Sequence, residues 1–238
     1  MNETLPKDAI ARTQPLVVEL IGPAGAGKTT LLRALTQGNQ IFVKGPDLVV
    51  RRIENIPFFV GNALLLLPTF LRQHGNGRWF TWYEVKAMVY LKGWHRVLRR
   101  QASKEGRIVI LDPGPVFKLA RLRGFGPENM NSQGFEKWWA GMLKQWAATL
   151  DMVLWLDAPD AILVERVHGR NHWHRVKEKS EHEACQFLAR YRASYEQVVA
   201  KLTANGGPTV LRFDTGQEST SQIVDRMLVT FYREQGEG

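Results

Sequence analysis

The stretch that most limits what this chain can become is LVVELIGPAGAGKTT at 16–30, where an apolar, β-branched run leads straight into a glycine-rich turn and then into helix formers. That order reads as strand, loop and helix. Gly22, Gly27, Lys28 and Thr29 complete the pattern G-x-x-x-x-G-K-[ST], and each residue type has a physical job at that spacing. Gly22, Gly25 and Gly27 let the backbone take positive φ and turn successive N–H groups toward a phosphate. Lys28 carries an ammonium to the β- and γ-phosphates, the Thr29 hydroxyl is a Mg²⁺ ligand, and the positive end of a helix from about Lys28 to Thr36 faces the anion. Gly22, Pro23, Ala24, Gly25, Ala26, Gly27, Lys28, Thr29 and Thr30 are therefore the candidate nucleotide-binding set. Lys28 is expected to be exposed when no nucleotide is bound.

With 238 residues, 44% of them apolar, the chain can bury one sizeable α/β core and is short for two. The reading is one domain over 1–238, with a frayed polar tail at 1–14, a helical acceptor-side insertion at 45–106 and a lid at 165–179. The tail mixes both charge signs and has no apolar core, which argues against a signal peptide or anchor. Cys185 is the only cysteine, so there is no intrachain disulfide and no cysteine-based zinc site, and a reducing compartment, the cytoplasm, is expected. The net charge of +9 is unevenly spread: from Arg72 to Arg107 nine bases face only Glu84 and Glu105. That segment, +7 by itself, suits either a polyanionic or phosphorylated partner or a solvated helix face.

Along the chain, IFV at 41–43 reads as a short second strand closed by the turn KGPD, which ends in Asp47. IPFFVGNALLLLPTFL at 56–71 is the most apolar run, but Pro57, Gly61, Asn62 and Pro68 interrupt it and it falls short of about 18 uninterrupted apolar residues. It is expected to be a buried helix rather than a membrane span, with an apolar acceptor wall or a docking patch as the other reading. A long helix is expected over 79–106, its aromatics Trp79, Trp82, Tyr83, Tyr90 and Trp94 in the core. RIVILD at 107–112 is a third strand ending in Asp112, where a catalytic base or a ligand of magnesium-bound water belongs, with Asp47 the next candidate base. Helices follow at 116–126 and 132–149. DMVLWLD at 151–157 and TVLRFD at 209–214 supply two more strands, with helices from Asp160 and over 219–233. Alternating strands and helices predict a three-layer, doubly wound α/β fold: about five parallel strands, helices on both faces, and ligands at the carboxyl edge.

Before the last strand, ERVHGRNHWHRVKEK places Arg166, Arg170 and Arg175 within ten residues of one another. Three arginines on a mobile segment can close over a transferring phosphoryl group and exclude water. Arg166 and Arg170, four apart, would point the same way on a helix. His168, His172 and His174 lack a nearby carboxylate pair or cysteine and read as solvated or phosphate-facing rather than metal-binding.

GPAGAGKTT, ILDPGP, WLDAP, RVHGR and FLARYRASYEQVV together resemble the P-loop nucleotide and nucleoside kinases, most closely the thymidylate-kinase-like branch, in an order that spans nearly the whole chain. The resemblance implies a P-loop NTPase fold, ATP and Mg²⁺ as cofactors, and γ-phosphoryl transfer to a small acceptor. Lys28, Asp112, Arg166, Arg170 and Arg175 would be catalytic, and Thr29 and Asp112 would serve the metal. A homodimer is compatible with it. Pro113 stands where that branch usually has arginine, and KGPD replaces its acidic turn, so the acceptor is left open. A GTPase would need Asp-x-x-Gly and Asn-Lys-x-Asp, which do not occur. A motor, AAA-type or transporter ATPase would usually carry glutamate where Pro113 follows Asp112. The rival class is an ATP-dependent nucleic-acid binder or polynucleotide end-kinase using the basic 72–107 segment.

Overall fold

The computed structural model describes residues 16–38, 41–46, 53–71, 78–105, 108–127, 130, 133–169 and 175–236. Five strands, β1 (Val17–Ile21), β2 (Phe42–Lys44), β3 (Ile108–Leu111), β4 (Met152–Asp157) and β5 (Thr209–Asp214), form one sheet in the order β2-β3-β1-β4-β5. All neighbours are parallel. Such a sheet is buried on both faces, which is why β3, most of β4 and, apart from Glu19, β1 are continuous apolar runs rather than alternating ones.

Alternate side chains of each strand serve different layers. Val17, Ile21, Val109, Leu111, Val153 and Trp155 point toward α3 (Trp82–Glu105), α4 (Pro115–Phe125), α5 (Gln133–Ala147) and α7 (Glu181–Ala204). Val18, Leu20, Ile110, Leu154 and Leu156 point the other way, toward α1 (Lys28–Gly38), α6 (Asp160–His168) and α8 (Thr220–Gly236). The doubly wound reading of the sequence is the architecture observed. β1 lies between β3 and β4, so its carboxyl end opens where the chain order reverses, the place such sheets bind ligands.

Three expectations change. The third strand ends at Leu111 rather than at 112, so Asp112 begins the connection; the Asp112–Pro113 peptide is cis. The long helix starts at Trp82, and Trp79 and Trp82 are exposed rather than core, whereas Tyr90 and Trp94 are buried. The cause is the helix start: Thr81 caps the Glu84 N–H, the Glu84 carboxylate accepts the Thr81 N–H at 2.7 Å, and Arg78 grips the same carboxylate at 2.6 and 2.9 Å. This capping box stops the helix at Trp82.

The third correction concerns α2 (Ile56–Leu71). It is not buried. Phe58 packs edge-on against Trp94, and Leu66 and Phe70 join the core, but Ile56, Val60, Leu64, Leu65 and Leu67 are exposed. A helix apolar all round buries only the side that another element covers, and α3 covers one side.

Candidate active site

The loop between β1 and α1 is shaped by three glycines with φ of 141° at Gly22, 91° at Gly25 and 82° at Gly27, a region closed to most side chains. Two of them are also pressed against neighbouring backbone. A β-carbon on Gly22 would lie 2.0 Å from the Leu156 carbonyl oxygen, and one on Gly25 would lie 2.6 Å from that of Leu163. Gly27 has nothing within 4 Å of that position, so the loop is backed by β4 and α6 and open in front, with the room a phosphate group needs. Lys28 is half-buried, not exposed as expected: its ammonium donates to the Gly22 and Pro23 carbonyls at 2.6 and 2.8 Å. Thr29 and Thr30 are exposed at the start of α1.

Asp112 comes to the same edge through sheet register. Glu19 pairs with Leu111, so Asp112 follows directly on the strand beside the loop. Glu19, which sequence reasoning passed over, is fully buried and accepts the backbone N–H groups of Gly114, Val116 and Phe117 at 3.1, 2.7 and 2.9 Å. Burial raises its carboxyl to about 7, against those three donors and the nearby Lys118 ammonium, which favour the charged form. A carboxylate at the amino end of α4 fixes where the Asp112–Gly114 turn begins. Its signal in the sequence was an acid inside the apolar run VVELI. Burial also raises the Tyr195 phenol, with Tyr191, Glu19, Asp112 and Tyr83 adding to the effect, so these groups face one neighbourhood under the loop.

Of the three arginines, Arg166 is the one whose side chain is described. It does not reach outward as a lid: its guanidinium donates to the Thr215 carbonyl at 2.8 Å and hydroxyl at 3.0 Å, and it approaches the Gly25 carbonyl at 3.5 Å. Helix α6 ends at His168 and Gly169 caps it. Arg170, His172, His174 and Asp47 lie outside the described residues, as does the Arg175 side chain; Arg175–Glu178 is a short 3₁₀ turn. Arg166 lines a cavity of about 490 Å³ together with Gly25, Gly27, Thr215 and Ser219.

A second arginine was also missed. Arg192 on α7 forks onto Asp157 at 2.7 and 3.0 Å, reaches Asp160 at 2.5 Å and donates to the Ala158 carbonyl at 2.9 Å. It ties α7 to the end of β4 and the start of α6, the two elements that back the glycine loop. No local pattern could reveal it, because 35 residues separate it from Asp157.

A family model described as an AAA domain matches residues 17–198. The chain belongs to this family. Its glycine loop carries the complete P-loop pattern, so the chain is a P-loop domain of this family. The family description carries the name of a class that Pro113 argued against; the P-loop core is common to both, and the glutamate after Asp112 is missing here. No protein of curated function matches the sequence. Among solved structures, deoxyadenosine kinase from M. mycoides with products dCMP and dCDP is 14% identical, over 90% of this chain and 98% of that one, with a TM-score of 0.50. YorR protein from Bacillus subtilis, in complex with phosphorylated GDP, is 16% identical over 92% and 98%, with a TM-score of 0.49. The deoxyadenosine kinase likeness supports the fold and nothing finer.

Proposed function

We propose that this chain is a Mg-ATP-dependent phosphotransferase that moves the γ-phosphoryl group to a small acceptor: a nucleotide, a nucleoside or another hydroxyl- or phosphate-bearing metabolite. The observation that carries the reading is the loop itself. Three positive-φ glycines stand at the carboxyl end of the central strand, closed behind and open in front at Gly27, with the Lys28 ammonium already drawn onto the loop. Gly22–Gly27 would bind the phosphates through backbone N–H groups, and Lys28 would neutralise the β- and γ-oxygens. Bound magnesium would supply charge neutralisation between those oxygens, with Thr29 and Asp112 the residues that fit it. The 490 Å³ cavity beside Gly25 and Arg166 is the place for the nucleoside part of ATP.

In this reading Asp112 holds the metal's water shell or takes the acceptor's proton. Glu19 positions it through the turn that follows. Residues 45–106 then form the acceptor-side insertion and 165–179 the lid, with Arg166 steadying the nucleotide side and Arg170 and Arg175 serving the phosphates. The thymidylate-kinase-like branch is the nearest pattern, and the cytoplasm fits a chain whose one cysteine, Cys185, is free. The test is ATP consumption screened against nucleosides, nucleotides, sugars and lipid-linked alcohols. Acceptor-dependent ADP formation that falls far more than ATP affinity in Asp112→Asn supports the reading. ATP binding with no acceptor in any class would overturn it.

A further inference from the structure

The outer side of α2, though within the acceptor-side insertion of that reading, is exposed and carries no titratable group that phosphoryl transfer could use. Residues 56–71 hold no charged side chain, and Ile56, Val60, Leu64 and Leu67 recur at the spacing of one helical face, each 44–58% exposed. The inner side of α2 is firmly seated: Gly93 of α3 approaches so closely that a β-carbon there would lie 2.6 Å from Asn62 Oδ1 and 2.7 Å from the Phe58 ring. By length and composition Ile53–Phe70 is apolar enough to cross a membrane, but crossing would strip Phe58, Leu66 and Phe70 from the core. A helix fixed on one side and apolar on the other can lie along a bilayer surface instead.

Two observations say what covers it. Trp79 and Trp82, 58% and 60% exposed, stand at its edge, with the Phe59 and Trp82 rings 5.1 Å apart, and tryptophan suits the level of lipid headgroups. The charge around it is mainly basic, Glu54 at the head of α2 apart. Arg96 and Arg100 are exposed and lie three and seven residues beyond Gly93, on the side of α3 that meets α2, within the segment of net charge +7. A second copy docked on this face about a two-fold axis would oppose two such basic rims. An anionic bilayer takes the leucines into its acyl boundary and the arginines at its headgroups. We propose that α2, with Trp79, Trp82, Arg96 and Arg100, is a peripheral docking surface for anionic lipid membranes, whatever the acceptor proves to be.

The test uses the full chain with vesicles of phosphatidylcholine and phosphatidylglycerol, against vesicles of phosphatidylcholine alone, at low and high salt. Binding to the anionic vesicles that weakens with salt is expected. Leu64→Glu with Leu65→Glu should lower it by about tenfold or more, and Arg96→Glu with Arg100→Glu should lower it several-fold, both with unchanged circular dichroism. The proposal is overturned if anionic vesicles leave the protein in solution, or if the leucine variant binds them as well as the parent. It is overturned equally if light scattering finds a dimer that the leucine variant splits, or if a single-stranded oligonucleotide binds through Arg96 and Arg100 while vesicles do not.

Discussion

Neither the loop at 22–27 nor α2 carries a charged side chain, yet the two are held in opposite ways. The loop's backbone is fixed by its own glycine conformations, by the Leu156 and Leu163 carbonyls behind it and by the Lys28 ammonium across it. On α2 one side packs against Trp94 and the core, and no element among the described residues covers the other. Where the backbone itself is the ligand-binding group, sequence and geometry are locked together residue by residue. Where an apolar side chain is the only device, its meaning depends on what lies opposite it.

The contrast is easiest to break at Lys28. Lys28→Ala should cost at least about a hundredfold in phosphoryl transfer, by analogy with the loss of a single electrostatic donor, with an unchanged far-ultraviolet circular dichroism spectrum. Turnover near the parent level in the folded variant would remove the loop from the chemistry. On α2, Leu66 is 1% exposed, and Leu66→Ala should lower stability by about 2–5 kcal/mol in urea unfolding. A smaller loss would mean that α2 is loosely seated.

Arg192→Ala tests the support behind the loop. It leaves Asp157 and Asp160 without their guanidinium partner and should cost about 1–2 kcal/mol, with ATP affinity falling as the backing of Gly22 and Gly25 loosens. An unchanged affinity would confine Arg192 to stability.

A gentler effect is expected at His95, whose ring is held down to about 4 by burial and by Arg96, Arg99 and Lys92. Its Nδ1 accepts from the Gln145 amide at 2.7 Å when the ring is neutral. Unfolded, the ring titrates near 6.5, so between there and about pH 4 the unfolded chain binds a proton that the folded chain refuses. Stability from this group is full above pH 6.5 and is lost as pH falls through that window. Thermal unfolding followed from pH 7 to 4 should show a shallower decline in His95→Gln; parallel profiles would remove the ring from the balance. The smallest effect belongs to the outer face of α2: Leu64, 58% exposed, should tolerate Leu64→Ser within about 0.5 kcal/mol. A loss as large as that of Leu66→Ala would show the face to be covered.

Much of the fold could be read from local pattern. Five strands, the helices between them and the nucleotide loop follow from β-branched runs, turn residues and one complete motif, because those signals act between residues a few positions apart. Asp112 was legible for the same reason, an acid at the end of an apolar strand. Glu19 was visible as an acid in an apolar strand, but its work required knowing that β3 lies beside β1 and that α4 starts at Pro115, some 95 residues away. Arg166 was picked out as a lid cation, whereas its bonds to Thr215 exist only because the end of β5 comes beside α6. For α2 the sequence could state only that every side was apolar. Whether such a helix is buried, spans or lies against a surface is a matter of how many sides its neighbours cover, and that is decided when α3 packs on one side of it and leaves the other to solvent.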